Sequence, residues 1–232
     1  MAHDGRSTAE SADIVETPDP LDGDPRVREY FGPAWAAVQG FAELLRVHGV
    51  ERGLLGPNEA GRLWERHLLN SAGVVNLLPP SGALVDLGSG GGLPGIVVAA
   101  MRPEAHVVLL EPMERRADWL RFVVGELLLS NVEVLRGRAE DVVGAVRADA
   151  VTARAVSGLD NLYRWAVPLV HPGGGLFAIK GARASDEVAA AASAARRRGW
   201  VDVEVREIQT VAGVEPTRVV RAVRVGGAAG VR

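Results

Sequence analysis

The chain has 232 residues, 47% of them apolar and 24% charged, which is one ordinary domain, or one with a small attachment, and core enough to need neither disulfides nor a structural metal. It contains no cysteine, which excludes disulfide frameworks, cysteine-built zinc sites and any thiolate nucleophile. The net charge of −3 is unevenly spread: residues 1–25 carry seven acids and one arginine, and the remainder is mildly basic, a balance compatible with a nucleic-acid partner.

Residues 1–24 are polar, acidic and aperiodic, and read as a disordered leader without the apolar segment of a secretory signal. No run of roughly eighteen apolar residues occurs, so no membrane span is expected, and the reading is of a cytoplasmic protein. Asp24-Pro25 marks a helix start, an N-cap followed by proline at the first helical position. Val27, Tyr30, Phe31, Ala34, Val38, Phe41, Leu44 and Leu45 then form a helical stripe. A second helix is expected from Pro57 to about Leu78, with Leu63, Trp64, Leu68, Ser71, Val74 and Val75 inward, stopped by Pro79-Pro80. Residues 25–80 are thus a helical cap.

From Ala83 onward short apolar runs alternate with helical stretches. The runs are Ala83–Leu87, His106–Glu111, Val132–Leu135, Ala148–Ala153 and Gly175–Lys180, with helices such as Glu114–Leu129 and Leu159–Leu169 between them. This alternation predicts a parallel sheet covered on both faces. Val201–Gln209 and Thr217–Val225 are strand-like and joined by a loop with Gly213 and Pro216, which predicts an antiparallel hairpin. The fold class is therefore α/β: a Rossmann-like, seven-stranded, mostly parallel sheet over residues 81–225, with a C-terminal antiparallel hairpin and an N-terminal helical lid. Residues 226–232 read as a flexible tail. Arg196-Arg197-Arg198 closes a helix that opens with Asp186-Glu187, so dipole complementarity accounts for that basic run.

The most informative stretch is Leu84 to Gly95, where a buried strand carrying Asp86 leads into a five-glycine turn and then a helix. Such a turn lies at the carboxyl ends of the strands, where open α/β sheets bind ligands, and its glycines permit close backbone approach. Gly90, Gly92 and Gly95 satisfy the dinucleotide pattern G-x-G-x-x-G, whereas a P-loop is excluded because no Lys-Ser or Lys-Thr follows. S-adenosylmethionine explains more. Asp86 is placed to accept from the cofactor's ammonium or neighbouring waters, Glu111 at the next strand end to take both ribose hydroxyls, and Glu140-Asp141 after the third strand to meet the adenine amine. Pro94 removes an N–H that a pyrophosphate would want. The plainer alternative for Glu111 and Glu140 is that they cap helices.

The fourth strand is followed by Thr152-Ala153-Arg154-Ala155-Val156-Ser157, with neither an aromatic clamp for amine methylation nor a general base. An acceptor that needs no deprotonation suits such a site, and guanine N7 is one; alignment and electrostatics then carry the reaction. Arg154 is placed for the cofactor carboxylate or an RNA phosphate, or alternatively for a surface ion pair. Lys180 is the single lysine beside 25 arginines and ends the fifth strand at the same crevice.

With Asp86-Leu87-Gly88-Ser89-Gly90-Gly91-Gly92-Leu93-Pro94-Gly95, Arg102-Pro103-Glu104-Ala105, Thr152-Ala153-Arg154-Ala155, Ala178-Ile179-Lys180-Gly181 and the helical Arg66-His67-Leu68-Leu69-Asn70-Ser71, the sequence resembles the bacterial 16S rRNA N7-guanine methyltransferases. These form the small-subunit methyltransferase G family, once called glucose-inhibited division protein B. The resemblance spans about residues 27–225. It implies cofactor contacts at Gly88, Leu93, Ala139, Glu140 and Arg154, joined here to Asp86, Gly90 and Glu111. It also implies RNA-facing roles for Arg66, His67, Arg138 and Lys180, with Lys180, Arg154 and His67 as the catalytic set, 16S rRNA or the small subunit as partner, and no metal. The sequence departs from the family pattern at Glu111, where Asp is usual, at Ser89-Gly90-Gly91-Gly92 in place of Thr-Gly-Pro-Gly, at Asn70 in place of Asp, and in Gly49–Gly56, which lacks Tyr-Asn-Leu-Thr. Two competing readings remain at this stage: a nicotinamide-dependent reductase, and a non-catalytic RNA-binding module.

Overall fold

The computed structural model describes residues 19–56 and 59–225. Seven strands form one sheet in the order β3-β2-β1-β4-β5-β7-β6. They are β1 (Gly82–Leu87), β2 (Ala105–Glu111), β3 (Val132–Arg136), β4 (Ala148–Arg154), β5 (Val170–Lys180), β6 (Trp200–Ile208) and β7 (Thr217–Arg224). The first five run parallel, and β7 is inserted antiparallel between β5 and β6. The expected hairpin is therefore present, with β6 at the sheet edge and β7 returning between it and β5.

Side chains alternate across this sheet with period two. Leu84, Val107, Leu109, Phe177 and Val219 face one core, and Val85, Val108, Leu110, Leu176 and Val220 face the other. The first core is covered by α1 (Pro25–Phe31), α2 (Trp35–His48), α4 (Gly95–Met101) and α5 (Glu114–Glu126). The second is covered by α6 (Leu159–Ala166) and α7 (Ala184–Arg197). The N-terminal helices share a continuous core with the sheet. Gly73 lies so close to β7 that a Cβ there would meet Thr217 at 2.6 Å.

Three expectations need correction. The acidic leader does not extend to residue 24 as a disordered segment: Asp19 is buried, its carboxylate accepting from the Leu21 and Trp64 amides, and Asp22 accepts from the Trp64 indole at 3.1 Å while pairing with Arg46. Asp19 supplies an acceptor to the start of a helical turn, whose first N–H groups have none of their own, while Asp22 holds the indole of the same residue; residues 1–18 lie outside the described residues. The first stripe is broken at Gly32, with φ of 51°, and Pro33 into α1, a 3₁₀ turn and α2. The second stripe is not one α-helix. It runs as a 3₁₀ turn (Ala60–Arg62), a π-helical stretch (Trp64–Leu69), the short α3 (Asn70–Ala72) and a 3₁₀ turn (Val75–Leu77), although every residue expected inward is buried. Its proposed start at Pro57 lies outside the described residues, as does the tail 226–232.

Candidate active site

The carboxyl ends of β1, β2, β4 and β5 place Leu87, Glu111, Arg154 and Lys180 along one rim of the sheet. The glycine turn opens where the chain leaves β1. Gly88 has φ of 71° and donates to the Leu110 carbonyl at 2.8 Å; a Cβ on it would meet Val156 at 2.9 Å. Gly95 begins α4 so tightly against the strands that a Cβ would lie 2.3 Å from Leu109 and 2.6 Å from Asp86. Glycine is therefore the residue that lets this helix start under the turn. The Leu93 side chain turns inward and joins the core beneath, so any cofactor contact there falls to its backbone.

Asp86 is fully buried. Its Oδ2 accepts from the Gly95 amide at 3.0 Å and its Oδ1 from the Thr152 hydroxyl at 3.1 Å. Burial pushes its carboxyl up to about 6, against the opposing pull of those hydrogen bonds and of Arg154. The carboxylate expected to accept from a cofactor ammonium or neighbouring waters lies buried here, each oxygen accepting one hydrogen bond within the protein, by which Asp86 ties the turn and α4 to β4. Glu111 is also buried. Its Oε2 accepts from Gly90 N–H at 2.9 Å and its Oε1 from Met113 N–H at 2.9 Å. One oxygen thus takes the plainer role at the entry to α5, and the other faces the glycine turn.

Beside these residues opens a cavity of about 400 Å³ with an apolar floor of Leu87, Leu110, Ala139, Val156 and Trp165, and with Gly88, Arg138, Glu140 and Arg164 at its edge. An apolar floor with a carboxylate at its edge is a lining suited to an apolar ring that carries a hydrogen-bond donor. The expected residues Gly88, Arg138, Ala139 and Glu140 all line it. Trp165 was not anticipated, since nothing in its local sequence separates it from a core tryptophan.

A second, polar cavity of about 560 Å³ lies over β4 and β5, lined by Arg66, His67, Arg154 and Lys180 together with Glu59, Glu187 and Arg218. Arg154 is the hub. Its Nη1 donates to the carbonyls of Arg66 and His67 at 3.0 and 3.2 Å and to Asn70 Oδ1 at 3.2 Å, and its Nη2 stands 2.6 Å from His67 Nδ1. Burial pushes the guanidinium down to about 10, with Glu59 and Asp86 pulling it back. Nη1 and one Nη2 hydrogen are thus engaged by the end of the π-helical stretch, which Arg154 fastens to β4; its remaining donors make no hydrogen bond among the described residues. Arg66 is exposed, and the His67 ring is almost wholly enclosed. Burial, then Arg154, push the imidazole down to about 4. Lys180 Nζ donates to the Ser157 carbonyl at 2.8 Å and pairs with Glu187 at 2.7 Å. Sequence reasoning missed Glu59 and Glu187, ordinary acids that long-range folding brings to the site.

Among the described residues no group of three His, Cys, Asp or Glu is arranged to hold a metal ion, and no helix is long and apolar enough to cross a membrane.

The family model described as GidB, rRNA small subunit methyltransferase G, matches residues 35–214. The ribosomal RNA small subunit methyltransferase G of Thermobifida fusca is 53% identical over 161 residues, covering 69% of this chain and 68% of that protein. Among solved structures, a SAM-dependent O-methyltransferase of Thermotoga maritima aligns with a TM-score of 0.58 at 15% identity, over 75% of this chain and 72% of that one. Fibrillarin of Aeropyrum pernix, solved with S-adenosyl-L-methionine bound, aligns with a TM-score of 0.51 at 18% identity, over 69% and 76%. The structural likenesses establish the fold shared with such enzymes.

Proposed function

The chain belongs to the rRNA small subunit methyltransferase G family, and from that premise we propose that it transfers a methyl group from S-adenosylmethionine to N7 of a guanine in 16S rRNA of the small ribosomal subunit. The observation that carries this reading is the placement of two unlike cavities on neighbouring residues beyond β4, the polar one lined by Ala155 and the apolar one by Val156. One is apolar with Glu140 at its edge, the other polar and large enough for a nucleoside.

Glu111, Gly90 and the backbone around Gly88 would hold the cofactor's sugar; Ala139, Val156 and Trp165 its adenine, with Glu140 beside the exocyclic amine. When bound, the cofactor supplies an electrophilic methyl on a sulfonium. The chain's own residues have only to align the acceptor and exclude water. N7 offers its lone pair without losing a proton, so the absence of a general base costs nothing. His67 is neutral near pH 7 and so does not compete to protonate that lone pair. Arg66, Arg138 and Lys180 at the rims suit phosphate contacts. A ribosomal RNA substrate places the protein in the cytoplasm.

The test is transfer of a labelled methyl group to small-subunit rRNA, followed by mass mapping of the product nucleotide. The expected result is label in 7-methylguanosine at one position. Label on an exocyclic amine or a ribose would overturn the acceptor assignment. A melting shift with NADH and none with adenosylmethionine would restore the reductase reading, and RNA binding without label would restore the non-catalytic module.

A further inference from the structure

The polar cavity holds one relationship that cofactor binding and phosphate contacts leave unused. Arg154 Nη2, which is only a donor, stands 2.6 Å from His67 Nδ1. Nδ1 must therefore accept, and the ring proton of the neutral imidazole is forced onto Nε2. That Nε2 is buried and has no hydrogen-bond partner in good geometry among the described residues. The nearest acceptor is Glu59 Oε1, 3.4 Å away and off the line of a hydrogen bond. The other oxygen of Glu59 accepts from the Gly56 amide at 2.6 Å, so Oε1 is left as a free acceptor on a half-exposed side chain. A donor and an acceptor thus lie side by side on the wall of a cavity large enough for a nucleoside.

We propose that His67 Nε2–H and Glu59 Oε1 read the Watson–Crick edge of the guanine to be methylated, the imidazole donating to O6 and the carboxylate accepting from N1–H. The inference rests on the guanine-N7 reading above and adds the residues that select the base. Guanine presents an acceptor and a donor on adjacent atoms of that edge; adenine presents the reverse order, so it would face donor with donor and acceptor with acceptor. Reading an unstacked base on its Watson–Crick edge is how proteins recognise single nucleotides of RNA. Gripping that edge leaves N7, on the neighbouring edge, free to meet the methyl. The buried, unpaired Nε2–H explains why such a site discriminates: a base without O6 leaves the donor without a partner after water has been expelled. Binding requires the Glu59 carboxylate to turn from the ring edge to a position beside it, which its exposure allows.

The test uses reconstituted small subunits whose mapped target position carries guanosine, inosine, 2-aminopurine or 7-deazaguanosine. Inosine keeps O6 and N1–H, and 2-aminopurine lacks both. The full-length enzyme is expected to methylate inosine at close to the guanosine rate and 2-aminopurine at least roughly tenfold more slowly in kcat/KM. Glu59→Gln, which keeps the Gly56 contact and turns the acceptor into an amide, is expected to lower kcat/KM for guanosine and to bring the guanosine to 2-aminopurine ratio towards one, with unchanged cofactor affinity. His67→Gln, which keeps an N–H donor, is expected to retain more of that ratio than His67→Leu. Equal rates on guanosine and 2-aminopurine, or a ratio that Glu59→Gln leaves at the wild-type value, would overturn the proposal. Transfer to 7-deazaguanosine would instead overturn the N7 assignment, while the edge-reading ratio stands or falls on the other three bases.

Discussion

Arg154 on β4 grips His67 through both backbone and ring: one guanidinium nitrogen accepts no proton and donates to the His67 carbonyl at 3.2 Å, and the other stands 2.6 Å from Nδ1. This double hold is what keeps a π-helical stretch, whose backbone bonding is poorer than that of an α-helix, in register over the site. Arg154→Ala removes the partner of two carbonyls and of a ring nitrogen at once. The expected loss is about 2–4 kcal/mol of folding stability, read as a lower urea midpoint. The His67 pKa, followed by NMR, is expected to rise from its depressed value of about 4 once the neighbouring cation is gone. A variant that melts like the wild type with an unmoved His67 titration would show that the grip is ornamental.

Asp86 and His67 make opposite contributions to acid stability. Asp86 titrates near 6 when folded against 3.8 in the unfolded chain, so over that window the folded state binds more protons, and its contribution, on the order of 3 kcal/mol, is lost as pH rises. His67 titrates near 4 when folded against 6.5 when unfolded, so there the unfolded state binds more protons, and a contribution of similar size is lost as pH falls. The two largely cancel between pH 4 and 6. Asp86→Asn keeps the shape and removes one arm. Relative to the wild type, its unfolding free energy is expected to climb by about 1 kcal/mol per pH unit from pH 4.5 to 6. Urea titrations at three pH values check this; a constant offset between the two proteins would refute the assignment of the raised carboxyl to Asp86.

The strands and most helices were legible because their signals are local. The period-two alternation of β1 and β2, the Asp24-Pro25 cap and the glycine turn each fix a conformation from a few neighbouring residues. The irregular path through Ala60–Leu77 was not, since its apolar positions fit a helix and the departure is imposed from outside, by Asp19 and Asp22 at Trp64, by Arg154 at His67 and by Thr217 against Gly73. The same holds within the site. That Glu111, Arg154 and Lys180 share one rim follows from strand ends in a parallel sheet. That Asp86 reaches Thr152 and Arg154 reaches Arg66 depends on partners 66 and 88 residues away in the chain, which no spacing reveals.

Glu111 positions the glycine turn, since Gly90 and Met113 both donate to its carboxylate, and it stands between Leu110 and Pro112, which line the apolar cavity. Glu111→Ala leaves two amides without partners and removes the acceptor for the cofactor's sugar hydroxyls. Cofactor affinity by calorimetry is expected to fall about tenfold to a hundredfold, the equivalent of one or two charge-assisted hydrogen bonds. Glu111→Asp is expected to recover part of that loss only if the turn follows the shorter side chain. Unchanged affinity in the alanine variant would confine Glu111 to the start of α5.

Lys180 and Glu187 are bonded at 2.7 Å, and the lysine is almost covered while the acid remains half-exposed. An RNA phosphate arriving over β5 therefore competes with a carboxylate for the same ammonium. Lys180→Ala is expected to abolish turnover at near-normal cofactor affinity, because the lysine stands at the polar cavity and not the apolar one. Glu187→Gln removes the competitor and leaves the ammonium in place. It is expected to tighten RNA binding by up to about fivefold at low salt, the worth of one partly exposed ion pair, and the gain should fade as added salt screens the charges. Filter binding across a salt series distinguishes the outcomes. Tighter binding that vanishes with salt marks Lys180 as a phosphate contact held in reserve. Affinity that is unchanged at every salt concentration would make the pair a strut between β5 and α7.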